Sequence, residues 1–236
     1  LVPWGVALVA WKALNVLAFA GIVVITERML ALEARDRLVV RSFALVLSPT
    51  ISVMVLGQST FVALFLVVAA ARAVERDRPL VAGVWLALAM VKPQLALPLA
   101  LFLFVRGEFR TLAVAAVGVV GLSRLGLVLA HSSLDAYLTA VRRYAAANRP
   151  DSHIGVGVAS LLGHFGDVEP GAATAVGLAV GTAVVALAAS TRREEWRYAI
   201  AELLPVVLYA APLGFHCHGY DLVALVPLFA WARTRV

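Results

Sequence analysis

The chain alternates between long apolar runs and short polar stretches. Residues 4–25, 111–130 and 170–190 are apolar with few interruptions, and each run has about the 20 residues that a membrane-spanning helix needs. Two more runs, over residues 42–71 and 80–105, are longer and are interrupted by polar residues. The pattern therefore predicts a single all-α domain of 236 residues, a polytopic transmembrane helical bundle.

The run over residues 80–105 is interrupted only in its middle, by Lys92, Pro93 and Gln94. A proline inside a helix removes one hydrogen bond and clashes with the preceding turn, so Pro93 disfavours an unbroken helix. An ammonium group at membrane depth is costly unless it is paired or reaches water. Two structures stay open: one long kinked helix, or two short helices that meet at a polar break.

Arginine pairs in the short polar stretches predict how the helices are oriented. Lysine and arginine in short loops collect on the cytoplasmic side of membrane proteins. All the arginine-rich stretches share that side only if the runs over residues 42–71 and 80–105 each enter and leave there. Both runs are then short helical hairpins, broken at the outer face near Gly57 and Lys92. The arginine pairs are Arg35/Arg37, Arg76/Arg78, Arg106/Arg110, Arg192/Arg193 and Arg233/Arg235.

Two further polar stretches, residues 131–169 and 216–221, fall on the outer side in this topology. The first is an outer-face region of the same domain, in which Leu134, Leu138 and Val141 recur at a spacing typical of a helix on the membrane surface. Irregular backbone at membrane depth survives only where it is buried in protein or lines a watery cavity. The breaks therefore predict an outer cavity that suits an anionic head group from that leaflet.

The composition agrees with a membrane protein. Hydrophobic residues make up 62% of the chain and charged residues 14%, with a mean hydropathy of +0.93, whereas soluble domains are about 45–50% apolar and 25% charged. The formal net charge of +6 does not indicate a nucleic-acid partner, because the arginines lie in loops where the topology requires them. Cys217 is the only cysteine, so no internal disulfide can form.

Four short motifs follow one another along the chain: Gly57-Gln58 after a Ser-Pro pair, Ala82-Gly83, Lys92-Pro93-Gln94 and His218-Gly219-Tyr220-Asp221. Their order resembles glycosyltransferase family 87, the polyprenyl-phosphate-mannose-dependent mannosyltransferases of the GT-C membrane class. The resemblance implies a GT-C-like bundle in the plasma membrane with an extracytoplasmic active site. It also implies a polyprenyl-phosphate sugar donor, a lipid or glycan acceptor, and surrounding membrane lipids as partners.

The resemblance also implies a part that this sequence does not contain. In the GT-C class the catalytic aspartate lies in the first outer loop, after the first membrane helix, whereas no aspartate here precedes Asp36, which is predicted to be cytoplasmic. An outward-facing Leu1 fits a start just after such a loop. We therefore expect the first helix, its loop and the principal base to be missing, and this fragment alone to be inactive.

The polar residues of the first two breaks are candidates for binding the substrate. Lys92 is predicted to hold the donor phosphate and to stabilise the charge that develops on the leaving group, the alternative being a snorkelling or ion-paired structural lysine. Gln58 and Gln94 suit sugar hydroxyls or phosphate oxygens, or the caps of broken helix ends. Arg124 is a second phosphate candidate, the alternative being that it reaches to the outer interface.

The last polar stretch supplies the candidates on the sugar or acceptor side. His218 and Asp221 are predicted to be catalytic, and His216 and Tyr220 to bind substrate. The alternative role for Asp221 is to cap the helix that begins beside it. The His-x-His pair has no convincing third ligand for a metal, so no metal and no other cofactor is predicted.

Three functions are compatible with these features. The leading prediction is an inverting transfer of a sugar, in particular mannose, from a polyprenyl-phosphate donor to an acceptor hydroxyl. A transporter or flippase for an anionic lipid-linked substrate also places broken helices around a central site, but it should show paired inverted repeats, and none is visible here. The third possibility is a membrane scaffold without catalytic activity.

Overall fold

The computed structural model describes residues 3–147, 155–165, 168–190, 196–214 and 217–235, which are mostly helical. The helices described are α1 (Trp4–Met29), α2 (Ala34–Val46), α3 (Ser48–Leu56), α4 (Thr60–Glu75), α5 (Pro79–Ala89), α6 (Pro93–Val105), α7 (Phe109–Leu129), α8 (Leu134–Ala147), α9 (Val158–Phe165), α10 (Pro170–Ser190), α11 (Trp196–Gly214) and α12 (Leu225–Arg233). A 3₁₀ helix covers Gly219–Ala224, and two-residue strands lie at Gly155–Val156 (β1) and Cys217–His218 (β2).

The predicted all-α polytopic bundle is confirmed. Among the described residues, α1, α7 and α10 are each long and apolar enough to span a membrane. The pair α2 and α3, bent by 53° where they meet, is a fourth candidate span. The surface helix predicted in the polar region is present as α8, and Leu134, Leu138 and Val141 are exposed on it.

The run over residues 80–105 forms two short helices, so the second of the two structures that the sequence left open is the one adopted. Residues 90–92 separate α5 from α6, and Pro93 is the first residue of α6, where its missing N–H costs no helical hydrogen bond. The two helices rise by about 16 Å and 20 Å, each less than the hydrocarbon core of about 30 Å. The break at Lys92 therefore lies within the membrane thickness.

Gly57 makes the break between α3 and α4. Its φ of 64° is in the left-handed region and ends α3, a conformation that glycine adopts without steric cost. The indole Nε1 of Trp11 donates a hydrogen bond of 2.7 Å to the carbonyl oxygen of Gly57. This bond connects the break to α1. Helix α4 begins three residues after Gly57, at Thr60.

Contacts between the arginine-rich stretches bring them to one end of the bundle, which we call the arginine end. Because α2, α4, α5 and α6 each have one terminus there, the runs over residues 42–71 and 80–105 both begin and end at the arginine end, as predicted for hairpins. Of the predicted pairs, Arg192 and Arg193 lie outside the described residues. The contacts are Arg41 with Glu27, Arg233 with Asp36, Arg235 with Glu202, Arg106 over the ring of Trp196, and a cleft shared by Arg28, Arg72, Arg76 and Arg78.

Helix α1 runs one turn beyond its predicted end, and Glu27 in that last turn is neutralised at the arginine end. Both oxygens of Glu27 accept hydrogen bonds of 2.8 Å from Arg41 of α2. Glu27 is 6% exposed, so the pairing compensates a carboxylate that is almost completely removed from solvent.

The opposite end of the bundle carries the polar region. Strands β1 and β2 pair antiparallel there, with Gly155 opposite His218 and Val156 opposite Cys217. The pairing brings Gly155 and Val156 of the predicted outer region next to the last polar stretch. At the end of that region Glu169 accepts the N–H groups at the start of α10, and these backbone hydrogen bonds lower the pKa of its carboxyl.

Small residues allow α5 and α7 to pack closely. A Cβ atom at Gly83 would lie 2.7 Å from the carbonyl oxygen of Thr111 and 2.6 Å from Cβ of Val114, and one at Gly118 would lie 2.7 Å from Cβ of Ala87. Close approach through such residues is a common way for membrane helices to associate. The packing gives the Ala82-Gly83 motif a structural role.

Candidate active site

Three polar side chains from distant parts of the sequence meet inside the bundle. Lys92 Nζ donates hydrogen bonds of 2.7 Å to Asp221 Oδ1 and of 2.7 Å to Thr60 Oγ1. The hydroxyl of Thr60 in turn donates to Asp221 Oδ1 over 3.0 Å. These three residues, which we call the buried cluster, form a closed triangle of charge-assisted hydrogen bonds.

Each member of the buried cluster is placed by an interruption of regular helix. Thr60 is the first residue of α4, Lys92 is the last residue before α6, and Asp221 lies in the 3₁₀ helix. The cluster therefore joins the α3–α4 break, the α5–α6 break and the last polar stretch. Their convergence, which the hairpin topology predicted, is confirmed.

The buried cluster is almost inaccessible to solvent. Lys92 is 8% exposed, Asp221 1% and Thr60 0%. Removing an ammonium and a carboxylate from water costs several kcal/mol for each ion, and only close pairing with further hydrogen bonds offsets that cost. Lys92 is thus ion-paired in this structure, and the pair is neutral as a unit.

Asp221 also holds the backbone of the neighbouring histidine. Its Oδ2 accepts a hydrogen bond of 3.1 Å from the N–H of His218, at the start of the 3₁₀ helix. The carboxylate thus acts as the cap that the sequence allowed, while its other oxygen faces Lys92 and Thr60. His218 is half-buried, and it is fixed on one side by Asp221 and on the other by the pairing of β2 with β1.

The family model for glycosyltransferase family 87 matches residues 1–213 of the chain. The chain belongs to glycosyltransferase family 87. It is therefore a membrane glycosyltransferase. The matched part contains Thr60 and Lys92 and ends before His218 and Asp221, so the family match and the buried cluster are separate observations. No curated protein and no solved structure matches the chain.

Two carboxamides of this family 87 glycosyltransferase flank the buried cluster. Gln58 lies two residues before Thr60, Gln94 lies two residues after Lys92, and both are partly exposed. Neither side chain caps a helix end in the described part of the chain, and the N-caps of α4 and α6 have no side-chain hydrogen bond. Both carboxamides are therefore available to a ligand.

Arg124 of the glycosyltransferase lies apart from the buried cluster. Its side chain is exposed and lines a groove of about 490 Å³ between α7 and the start of α8, together with Ser132 and Ser133. The neighbouring residue Ser123 shares a second cleft with Val91, so Arg124 lies close to the level of the α5–α6 break. The described contacts do not bring its guanidinium to Lys92 or Asp221.

Two of the predicted site residues cannot be placed. His216 lies outside the described residues, and for Tyr220 only the backbone, within the 3₁₀ helix, is described. Asp36, the first aspartate of the chain, is at the arginine end, where Oδ1 accepts a hydrogen bond of 2.7 Å from Arg233. Asp36 therefore lies away from the buried cluster.

Thr60 is the member of the buried cluster that sequence reasoning missed. It directly follows the Gly57-Gln58-Ser59 break and begins an otherwise apolar helix. A hydroxyl in the first turn after a break lies at the same level as the polar groups of that break, and this position is the signal that identifies it. The hydrogen bonds of Thr60 with Lys92 and Asp221 cannot be predicted from the residues next to it in the sequence.

Proposed function

We propose that this glycosyltransferase moves a sugar, with mannose as the first candidate, from a polyprenyl-phosphate donor to a hydroxyl of a lipid or glycan acceptor. The membership of family 87 supports the transfer. The positive-inside rule favours a cytoplasmic arginine end, and this supports a site on the extracytoplasmic side, which we propose to be that of the plasma membrane. A polyprenyl-phosphate donor suits this site because its sugar-phosphate is held at the membrane while its tail remains in the bilayer.

The proposed reaction is an inverting displacement at the anomeric carbon. The acceptor oxygen forms a bond to that carbon, while the bond from the carbon to the phosphate oxygen breaks. The polyprenyl phosphate leaves with the bonding electron pair, and the proton of the acceptor hydroxyl passes to a general base. Groups that stabilise the negative charge on the departing phosphate accelerate the step.

The observation that carries the proposal is the pairing of Lys92 with Asp221 beside His218. Lys92 is buried and already donates hydrogen bonds to Asp221 and Thr60 inside the protein, so we assign Lys92 and Asp221 as positioning residues. They hold the three broken segments together and fix the backbone of His218. We assign His218 to contact the reacting sugar-phosphate, and Gln58 and Gln94 to bind sugar hydroxyls or phosphate oxygens.

The assay that tests this function uses the full-length enzyme in lipid vesicles with two donors, polyprenyl-phosphate-mannose and a nucleotide-activated mannose. Release of polyprenyl phosphate is measured in the presence of a membrane lipid extract as the source of acceptor. We expect turnover of the lipid-linked donor alone. Consumption of the nucleotide sugar instead would contradict the assigned donor class.

A matched pair of histidine variants tests the assignment of His218. His131 lies at the turn after α7 with a positive φ of 48°, which asparagine tolerates well. We expect His218→Asn to reduce transfer by about 10²-fold or more, and His131→Asn to leave it unchanged. Equal activity of the two variants would remove His218 from the site.

A further inference from the structure

Four arginines, from the ends of α1 and α4 and from the turn between α4 and α5, line one cleft at the arginine end. Arg28 comes from α1, Arg72 and Arg76 from the end of α4, and Arg78 from the turn before α5. The cleft, which we call the arginine cleft, has a volume of about 250 Å³, and Trp85 forms part of its wall. Because the four arginines line a cleft, they can contact one small anion from several sides, which a row of arginines on a flat loop cannot do.

Among the described residues, the positive charge of the arginine cleft exceeds the negative charge around it. Arg72 forms an ion pair with Glu75. Within the described part of the chain, Arg28, Arg76 and Arg78 form no ion pair and are exposed. The four arginines exceed the neighbouring acids, Glu75 and Asp77, by two charges.

An adjacent cleft shows that such an excess is not general at this end. It has a volume of about 410 Å³ and is lined by Arg28, Arg37 and Arg41 among others. There Arg41 is paired with Glu27, and Arg37 Nε donates a hydrogen bond of 2.8 Å to the carbonyl oxygen of Leu32. Arg37 and Arg41 of that cleft thus have partners in the protein, whereas Arg28, Arg76 and Arg78 of the arginine cleft have no ion-pair partner among the described residues.

We propose that the arginine cleft binds the phosphodiester head group of an anionic phospholipid from the leaflet at the arginine end. Guanidinium groups form strong, often bidentate, hydrogen bonds with phosphate oxygens, and basic pockets between membrane helices are typical sites for anionic lipid head groups. Apolar residues complete the wall of the cleft, including Ile25 and Val81. They suit the glycerol backbone and the first part of the acyl chains.

The lipid site is separate from the buried cluster, and it does not depend on the proposed sugar transfer. Helices α4 and α5 extend from the arginine cleft to the breaks that carry Thr60 and Lys92. A lipid bound at the cleft joins α1, α4 and α5 at one end. Its binding therefore stabilises the fold whether or not a sugar donor is present.

The experiment measures the thermal unfolding temperature of the purified protein in neutral detergent against increasing phosphatidylglycerol. The cleft variant is Arg76→Gln/Arg78→Gln. The matched control is Arg35→Gln/Arg110→Gln, which removes the same charge from exposed arginines of the same end that lie outside the cleft. We expect phosphatidylglycerol to raise the unfolding temperature saturably, with half-saturation shifted roughly 30-fold to higher concentration in the cleft variant and unchanged in the control.

Each other outcome overturns the lipid assignment. Equal responses of the two variants would mean that the lipid responds to the total positive charge of the arginine end and not to the cleft. An equal rise with phosphatidylcholine would mean that head-group charge is irrelevant. A full response to soluble glycerol phosphate would identify a free anion site instead. Mass spectrometry gives an independent readout, because wild type should retain phosphatidylglycerol through purification and the cleft variant should lose it.

Discussion

Lys92 Nζ lies 2.7 Å from Asp221 Oδ1, although 129 positions separate the two residues in the sequence. Both side chains are buried, and the third member of the buried cluster, Thr60, donates to the same carboxylate oxygen. The buried cluster therefore joins two helix breaks to the turn that carries His218. Removing the Lys92–Asp221 pair should change both the stability of the bundle and the geometry of the candidate site, and the two effects can be measured separately.

The first prediction concerns the stability of the pair. Lys92→Met or Asp221→Leu alone leaves one buried charge without its partner, which costs about 3–5 kcal/mol, whereas replacing both residues with apolar ones is often close to neutral. We expect thermal unfolding in detergent to show two strongly destabilised single variants and a double variant, Lys92→Met/Asp221→Leu, that recovers most of the loss.

The exposed pair of Arg235 with Glu202 is the matched control. Removing either partner there should cost at most about 1 kcal/mol. A Lys92/Asp221 pair that behaved like this exposed pair would contradict the burial on which the account depends.

The second prediction isolates the hydroxyl of Thr60. Thr60→Val keeps the shape of the side chain but removes a hydrogen bond to the carboxylate and an acceptor for the ammonium, and bonds to charged groups contribute about 1.5–3 kcal/mol. Thr60→Ser keeps both functions. We expect a lower unfolding temperature for the valine variant and a nearly normal one for the serine variant; equal behaviour would remove Thr60 from the cluster.

The third prediction tests the close contact of α5 with α7. Gly83→Ala places a methyl group against Thr111 and Val114, and overpacking of this kind costs about 1–3 kcal/mol. The matched control is the same substitution at Gly121 on α7, where the added methyl group meets open space. We expect Gly83→Ala to lower the unfolding temperature and Gly121→Ala to leave it unchanged or raise it slightly.

The fourth prediction tests the orientation of the bundle. Cys217 is the only cysteine, and its backbone belongs to β2 at the end opposite the arginine end. A membrane-impermeant thiol reagent should label Cys217 from outside intact cells. In a Cys217→Ser background, Arg110→Cys should be labelled only after the membrane is permeabilised. The reverse pattern would invert the proposed topology.

Local patterns in the sequence are sufficient to predict where the helices break and that the breaks lie at the same end of the bundle. Gly57 and Pro93 interrupt apolar runs because of their backbone properties alone, and the arginine-rich loops determined which ends lie together. These features depend on neighbouring residues and on the membrane, so no knowledge of tertiary contacts was needed. The paired helices α5 and α6 follow from the same two signals.

The partners inside the bundle could not be derived in the same way. Lys92 and Asp221 were each selected as site residues, but their pairing, and the bond from Thr60 across 161 positions to Asp221, depend on how α4, α6 and the 3₁₀ helix pack. The sequence predicts Lys92 as a ligand of the donor phosphate, whereas its pairing with Asp221 supports the proposed positioning role. Arg124, selected for its charge alone, lies in a different groove.

The most direct test of the account is how the rate of sugar transfer depends on donor concentration in the double variant Lys92→Met/Asp221→Leu of the full-length enzyme, measured on folded protein. A misplacement of about 1 Å at a reacting group can cost about 10²-fold in rate. We therefore predict a fall in kcat of that order, with the KM for the polyprenyl-phosphate donor changed by only a few-fold. A near-normal kcat with a large rise in KM would show that Lys92 binds the donor phosphate itself. Normal values of both constants would mean that the pair serves the fold alone, and either result would contradict the positioning role.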